Sequence, residues 1–332
     1  MSPSTVDPRV PVTVIGAGVA GLAAAVELAE RGAKVEVVEK QAAPGPASCS
    51  WHAGGMLAPF CERAGADPVI ADLGADAVDW WSRRFAGTVQ RGSLVVALPR
   101  DAGELDGFAR RTSGFAWLDG AGVAALEPDL AGRFDRALYF AEEGHLDPRA
   151  ALAGLVARLE DLGVPVRFGH GVEPHRAAGG IVLDCRGLAA RDRLAGLRGV
   201  RGEMLLVRSS EVAITRPVRL LHPRAPLYLV PRGEGVFMLG ATSIESDWGG
   251  GTTVRSALDL LGAAFALHPA FGEAEILEFG AGVRPAFPDN LPRVERHNDT
   301  ISINGLYRHG FLLAPAMARR AAEAVVAATE AA

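Results

Sequence analysis

The chain has 332 residues, 49% of them hydrophobic, and carries a formal net charge of −5 at pH 7 with a pI near 5.9. That length predicts two domains with a sizeable core, and the acidic balance argues against nucleic acid or an anionic membrane as the main partner. The three cysteines, Cys49, Cys61 and Cys185, show neither metal-ligand spacing nor a disulfide framework, which fits a reducing cytoplasm and no metal centre. The first ten residues lack the basic start and apolar core of a signal peptide, and no charge-free apolar run reaches the roughly 18 residues that a membrane helix needs.

Residues 10–15 are a β-branched apolar run, which predicts a strand. Gly16, Gly18 and Gly21 follow as G-A-G-V-A-G, then 22–31 reads as an amphipathic helix and 35–38 as a second strand ending at Glu39. This is the pattern of an ADP-binding unit. Gly16 permits the tight turn, Gly18 lets backbone approach a pyrophosphate, and Gly21 lets helix pack on strand. The helix N-terminus offers N–H groups and positive dipole to phosphate. Glu39, 23 residues after Gly16, is placed to accept hydrogen bonds from a ribose diol.

A loop of small residues at 41–50 leads into W-H-A-G-G-M (51–56). Beyond it the pattern predicts a helix over 67–85 carrying Trp80 and Trp81, a strand over 90–98, a helix over 103–113, a short helix from 122, and a strand at 137–140. Asp147 and Pro148 are a helix N-cap and first helical residue, opening a helix to 162. Strands are expected at 164–168, 181–183, 202–207, 227–230, 236–239, 276–284 and 301–303, and a helix at 258–267. The chain closes through N-G-L-Y-R-H-G (304–310) into a terminal helix starting near Leu313 and running to about 330. A simple dehydrogenase completes its sheet with successive βα units, whereas these elements are interleaved. They predict a nucleotide domain built from 10–85, 145–203 and 275–330, with a substrate domain from 86–144 and 204–274.

Several stretches together resemble the D-amino acid oxidase family of flavoproteins, most closely its glycine oxidase members of the thiamine pathway. The carriers are V-I-G-A-G-V-A-G-L (14–22), A-S-C-S-W-H-A-G-G-M-L-A-P (47–59), D-C-R-G (184–187), V-R-G-E (200–203), L-Y-L-V-P-R (227–232), A-G-V-R-P (281–285) and G-L-Y-R-H-G-F-L-L-A-P-A (305–316). The resemblance implies an α/β fold: a Rossmann-like FAD-binding domain of the D-amino acid oxidase and glutathione reductase type, with an inserted mixed, largely antiparallel sheet. It implies oxidative deamination of glycine or another small amino acid by O2, giving H2O2, ammonia and glyoxylate or a keto acid. Thiazole-synthesis proteins are implied as partners receiving the imine, and a dimer or tetramer as the assembly. Two alternatives stand beside it: an FAD-dependent dehydrogenase for sarcosine, proline or a D-amino acid that passes electrons to a quinone or partner, and a non-redox escort protein of dinucleotide fold.

The resemblance also assigns residues. The segment with Cys49, Ser50, Gly54, Gly55 and Met56 runs under the flavin, with Met56 a pocket wall. Arg308, His309, Gly310, Phe311 and Leu312 lead the terminal helix toward the flavin pyrimidine edge, where dipole and N–H groups favour reduction. Val19, Ala20, Lys40, Val172 and Gly187 complete the cofactor contacts. Relatives with a cysteinyl flavin attach it near the C-terminus, where this chain has no cysteine, so FAD is expected to be non-covalent. Arg284 holds the substrate carboxylate, which suits the planar two-pronged guanidinium; a structural salt bridge is the competing reading. Tyr228 joins that clamp or is simply a core tyrosine, and Arg308 lies near substrate or faces phosphate or solvent. The chain departs from the family at Pro226, where a histidine is expected, and His222 is out of register, which leaves the amine side of the pocket open. His52 and His145 receive no role, and Trp80, Trp81, Trp117 and Trp248 are read as core or interface residues.

Overall fold

The computed structural model describes residues 10–174, 180–223 and 226–330; residues 1–9, most of the stretch read above for a signal peptide, lie outside this set. The first strand, Pro11–Ile15, is apolar on both faces because it is central. It pairs in parallel with Lys34–Glu39 on one side and Ile181–Asp184 on the other. Val166–Phe168 and Thr300–Asn304 continue the parallel sheet outward, and Arg293–His297 closes one edge antiparallel. The helices Val19–Glu30, Pro148–Asp161 and Gly310–Glu330 pack with this sheet in one apolar cluster. Ala23, Ala24 and Ala25 on the first helix, and Ala314, Ala318 and Ala321 on the last, keep the two rods close because they have almost no side chain to separate them.

The second sheet has eight strands in the order Glu275–Ala286, Arg198–Arg208, Val236–Gly240, Leu227–Gly233, Val218–Leu221, Ser93–Ala97, Arg136–Phe140 and Ala116–Asp119. All neighbours are antiparallel except Val218–Leu221 with Ser93–Ala97. The domain boundaries expected from sequence do not follow this sheet. The division after residue 203 cuts the Arg198–Arg208 strand, and the one at 275 assigns Glu275–Ala286 to the nucleotide unit. These two strands pair along their whole length, from Arg198 opposite Ala286 to Arg208 opposite Glu275, so both belong to the eight-stranded sheet.

Two helix expectations also change. The helix read over 67–85 is two, Pro68–Gly74 and Ala77–Ser82. Gly74 ends the first where it passes the terminal helix: a Cβ there would lie 2.6 Å from Leu312 Cδ1. The terminal helix begins at Gly310 rather than near Leu313, which places Pro315 beyond its first turn. Proline has no N–H to give the carbonyl four residues earlier, which is that of Phe311. The fully buried Trp81 supplies the missing donor, its Nε1–H reaching Phe311 O at 2.8 Å. Trp81→Phe is therefore expected to leave a buried carbonyl unpartnered and cost about 1–3 kcal/mol in denaturant unfolding. Adding Pro315→Ala to Trp81→Phe is expected to recover part of that loss by restoring a backbone donor; strictly additive effects of the two substitutions would contradict the pairing.

Candidate active site

A cleft of about 520 Å³ lies between the two sheets, beginning at the carboxyl ends of Pro11–Ile15 and Lys34–Glu39. This is where an open α/β sheet places its ligand. Gly16 has φ +104°, closed to side-chain residues, and a Cβ there would also lie 2.6 Å from Cys185 O. A Cβ at Gly21 would sit 1.9 Å from Gly16 O, so the helix can meet the turn only without one. At Gly18 the nearest atom to a Cβ would be Ser50 Oγ at 3.4 Å, and at Gly54 Val230 Cγ2 at 3.9 Å, so bare backbone opens on the cleft at both. Ser50 Oγ accepts from Val19 N–H at 3.1 Å, serving the helix N-terminus that Gly18 cannot cap. The Glu39 carboxylate accepts from Ala17 N–H at 2.8 Å and Gln41 N–H at 2.9 Å, which fixes it at the strand end with lone pairs to spare. Glycine backbone, a helix N-terminus and a fixed carboxylate along one cleft fit the pyrophosphate and ribose of FAD. Ala20, Lys40, Cys49, Val172, Gly187 and the run from Arg308 to Leu312 also border the cleft; Gly21 stands behind its wall.

The segment at 51–56 is held by two arginines that sequence reading passed over. Arg232 donates to Leu146 O at 2.9 Å through Nη1 and to Gly54 O at 2.9 Å and Ala53 O at 3.1 Å through Nη2. Burial pulls its guanidinium down to about 10. Arg149 donates to Trp51 O at 3.3 Å, covers the Trp51 ring and makes a two-pronged pair with Glu278 at 2.7 and 2.9 Å. Gly55, with φ +73°, passes Leu146, and Met56 then pairs with His145, whose imidazole burial holds down to about 4. The segment is thus fastened through the carbonyls of Trp51, Ala53 and Gly54, while the Trp51 and Ala53 N–H groups turn back to Ser48 O and Ser50 O.

At the other end of the cleft stand Arg284, Tyr228 and Arg308. Arg284 lies over Gly202: a Cβ at that residue would be 1.9 Å from Arg284 Nη2. Successive strand residues face opposite ways. Gly202 therefore makes room for the guanidinium, while its neighbours Arg201 and Glu203 pair at 2.6 Å away from it and anchor the loop at 248–253. Arg284 Nη1 donates to Thr242 O at 3.0 Å, and among the described residues no carboxylate lies within salt-bridge distance of it. The structural salt bridge entertained for Arg284 is absent there. Burial, with the nearby Arg308 charge, pulls its guanidinium down to about 10.

Arg308 Nη2 donates to Tyr228 OH at 2.5 Å. Interaction with Tyr228 leads the causes that push the Arg308 pKa up, and burial pushes the Tyr228 phenol up. Tyr307, immediately before, has φ +51° and its hydroxyl lies 3.1 Å from Ser243 Oγ. Strained backbone of this kind collects at functional sites. Behind Tyr228 the structure places two residues absent from the sequence reading. Glu62 Oε1 accepts from Tyr228 OH at 3.4 Å, and Glu62 Oε2 lies 3.4 Å from His309 Nδ1. Arg219 Nη1 stands 3.8 Å from Glu62 and donates to Cys61 O at 3.2 Å, its guanidinium over the Tyr228 ring. Burial acts to raise the Glu62 carboxyl, but the cations around it outweigh this and hold it below its usual value. His309 leads these influences, followed by Arg308 and Arg219, while burial pulls the His309 imidazole itself down to about 4. Pro226 is exposed and off the cleft wall. Trp80 and Trp81 are core; Trp117 and Trp248 are exposed, each under an arginine. His52 borders the cleft with Nε2 3.1 Å from Pro46 O.

Glu143 sits directly behind this cluster, fully buried. Its Oε1 accepts from Cys61 N–H at 2.7 Å and its Oε2 from the Ser93 hydroxyl. Burial pushes its carboxyl up to about 8 from 4.5. The folded chain then retains a proton that the unfolded chain has released, so this contribution is full below pH 4.5 and lost as pH rises through 8. Glu143→Gln, which copies the protonated form, is expected to gain roughly 2 kcal/mol on the parent between about pH 6 and 8 in urea unfolding. A pH-independent difference would contradict that proton count.

Among the described residues no helix is long and apolar enough to cross a membrane, and no group of three or more His, Cys, Asp or Glu could hold a metal. The family model for FAD dependent oxidoreductases of the DAO type matches residues 11–324. A Rhizobium etli protein whose name assigns it provisionally to thiamine biosynthesis as the oxidoreductase ThiO is 57% identical over 92% of this chain and 94% of its own. Glycine oxidase of Bacillus licheniformis is 26% identical over 96% of this chain and 93% of its own. Among solved structures, glycine oxidase of Bacillus cereus superposes with a TM-score of 0.79 at 24% identity, over 95% of this chain and 94% of that one. The chain belongs to the D-amino acid oxidase family of FAD-dependent oxidoreductases, and is an enzyme of the glycine oxidase and ThiO type.

Proposed function

We propose that the protein oxidises glycine or a similarly small amino acid with O2, giving the imine, H2O2 and, after hydrolysis, ammonia and glyoxylate or the keto acid. The observation that carries this reading is Arg284: a half-buried guanidinium on the cleft wall with two backbone carbonyls nearby and no acidic partner among the described residues. A guanidinium partly withdrawn from water without a counter-ion gains from an incoming anion, and a substrate carboxylate is the anion that matches its shape. Tyr228 OH, which accepts from Arg308, would give the carboxylate a second contact by turning its one proton from Glu62, 3.4 Å away, toward the substrate. Held at that point, the amino acid presents its α-carbon and nitrogen to the cleft in one orientation, and orientation of this kind removes several kcal/mol from a barrier. FAD, held by the glycine turn, Glu39 and the 51–56 segment, would supply the two-electron acceptor that O2 reoxidises. The chain itself needs to bind, orient and exclude water. The name of the Rhizobium relative, which refers to thiamine biosynthesis, supports a role in that pathway, where we propose that the imine passes to thiazole-forming proteins.

Oxygen uptake with glycine, matched to H2O2 and ammonia release, tests the reaction; fast dye reduction with slow oxygen uptake would replace the oxidase by a dehydrogenase. Arg284→Leu is expected to raise KM for glycine about 100-fold, on the order of 3 kcal/mol, the scale for losing one partner of a buried charge pair. Because no protein anion loses its partner, the same variant is expected to unfold at the parent temperature or above it. An unchanged KM, or a large fall in Tm, would overturn the assignment of Arg284.

A further inference from the structure

The carboxylate side of the pocket has two guanidiniums and a phenol, but the side that meets the amine has no residue assigned, since Pro226 is exposed and off the wall. Glu62 borders the cleft beside Tyr228, Arg308 and Met56. Two guanidiniums favour its ionised form, Arg219 from Val218–Leu221 and Arg308 from the turn before the last helix; Tyr228 from the strand Leu227–Gly233 donates to it, and His309 lies 3.4 Å away. Cys61 on its own helix, Pro59–Arg63, and Glu143 behind it are the remaining titratable groups, and neither is within salt-bridge or hydrogen-bond distance of its carboxylate among the described residues. Its polar contacts are long, 3.4 Å to Tyr228 OH and 3.4 Å to His309 Nδ1. A carboxylate has about four acceptor positions, so this one retains capacity toward the cleft.

We propose that Glu62 is the amine-side catalytic residue: its carboxylate accepts a hydrogen bond from the substrate nitrogen and stabilises the positive charge that develops there as the Cα–H bond breaks. This rests on the reading of the protein as an amino acid oxidase. The neutral amine contributes its lone pair to the forming C=N bond while the hydride, with its electron pair, departs to the oxidant; the nitrogen passes from neutral amine to cationic iminium. A fixed anion beside it gains interaction energy in that direction and so lowers the barrier rather than merely tightening binding. The same charge favours the ammonium form of bound substrate, so it moves the pH at which the reactive amine appears upward.

The test uses holoenzyme and stopped-flow flavin reduction under anaerobic conditions, with propionate as a probe that keeps the carboxylate but replaces the ammonium by a methyl group. Glu62→Gln keeps an acceptor and removes the charge. It is expected to slow the limiting reduction rate by glycine at least about tenfold, to shift its rising pH limb to lower pH, and to leave propionate affinity at the parent value. Glu62→Asp keeps the charge and is expected to hold the limb at the parent position, which decides the matter even where the Gln variant does not retain flavin. A rate within about twofold of the parent with an unmoved limb overturns the proposal. So does a limb that moves equally in both variants, or a loss of propionate affinity in step with the rate, which would mark a structural role. Parent enzyme that is yellow yet ignores glycine and other small amino acids would instead overturn the functional reading beneath it.

Discussion

An uncompensated positive charge sits where the two sheets meet, and much of the site is arranged around it. Arg284 reaches the cleft from the edge strand of the eight-stranded sheet, over a strand that carries glycine at residue 202 so that the guanidinium can lie flat on backbone. On the opposite face of that strand, the buried Arg201–Glu203 pair ties down the loop that leads into the helix Val254–Leu267. One short motif, V-R-G-E, therefore does two jobs on two faces: a tie behind, an empty seat in front. A strand with a side chain at 202 could not keep Arg284 in place.

The remaining cations of the site are used differently. Arg232 and Arg149 point at carbonyl oxygens of the 51–56 segment and act as fasteners. Arg219 and Arg308 surround Tyr228 and hold Glu62 in its charged form. This distribution gives a chain of net acidic charge a cleft with locally positive walls: the surface sets the overall sign, while a few guanidiniums bordering the cleft or packed behind it set the local one. Their partial withdrawal from water is tolerable because backbone carbonyls solvate several of them, and in the proposed function a substrate carboxylate completes Arg284.

The parts legible in the sequence are those written locally. The turn at Gly16, the helix after it, the second strand and Glu39 lie within one stretch, and each constraint is carried by a residue with a distinctive property, such as the positive φ of Gly16 or the missing Cβ of Gly21. The family-like motifs at 47–59 and 305–316 were legible as resemblance, and their residues meet at one cleft. Glu62 was not legible because its meaning comes from Tyr228, 166 residues away, and from His309 near the other end of the chain. The strand Val218–Leu221 escaped notice because Arg219 interrupts its apolar pattern; that arginine is buried by pairing across elements rather than by alternation. The domain boundaries shifted for a related reason, since strand pairing between 198–208 and 275–286 is a long-range fact that composition does not record.

The most direct test of the account is the visible flavin absorbance of the purified protein, followed without oxygen as glycine is added and then as air is admitted. The account predicts that the band bleaches rapidly with glycine, is unaffected by propionate beyond a small spectral shift, and returns in air with release of H2O2. A flavoprotein whose band ignores glycine, sarcosine, D-alanine and D-proline alike would contradict the claim that the seat at Arg284 is built for the carboxylate of a small amino acid.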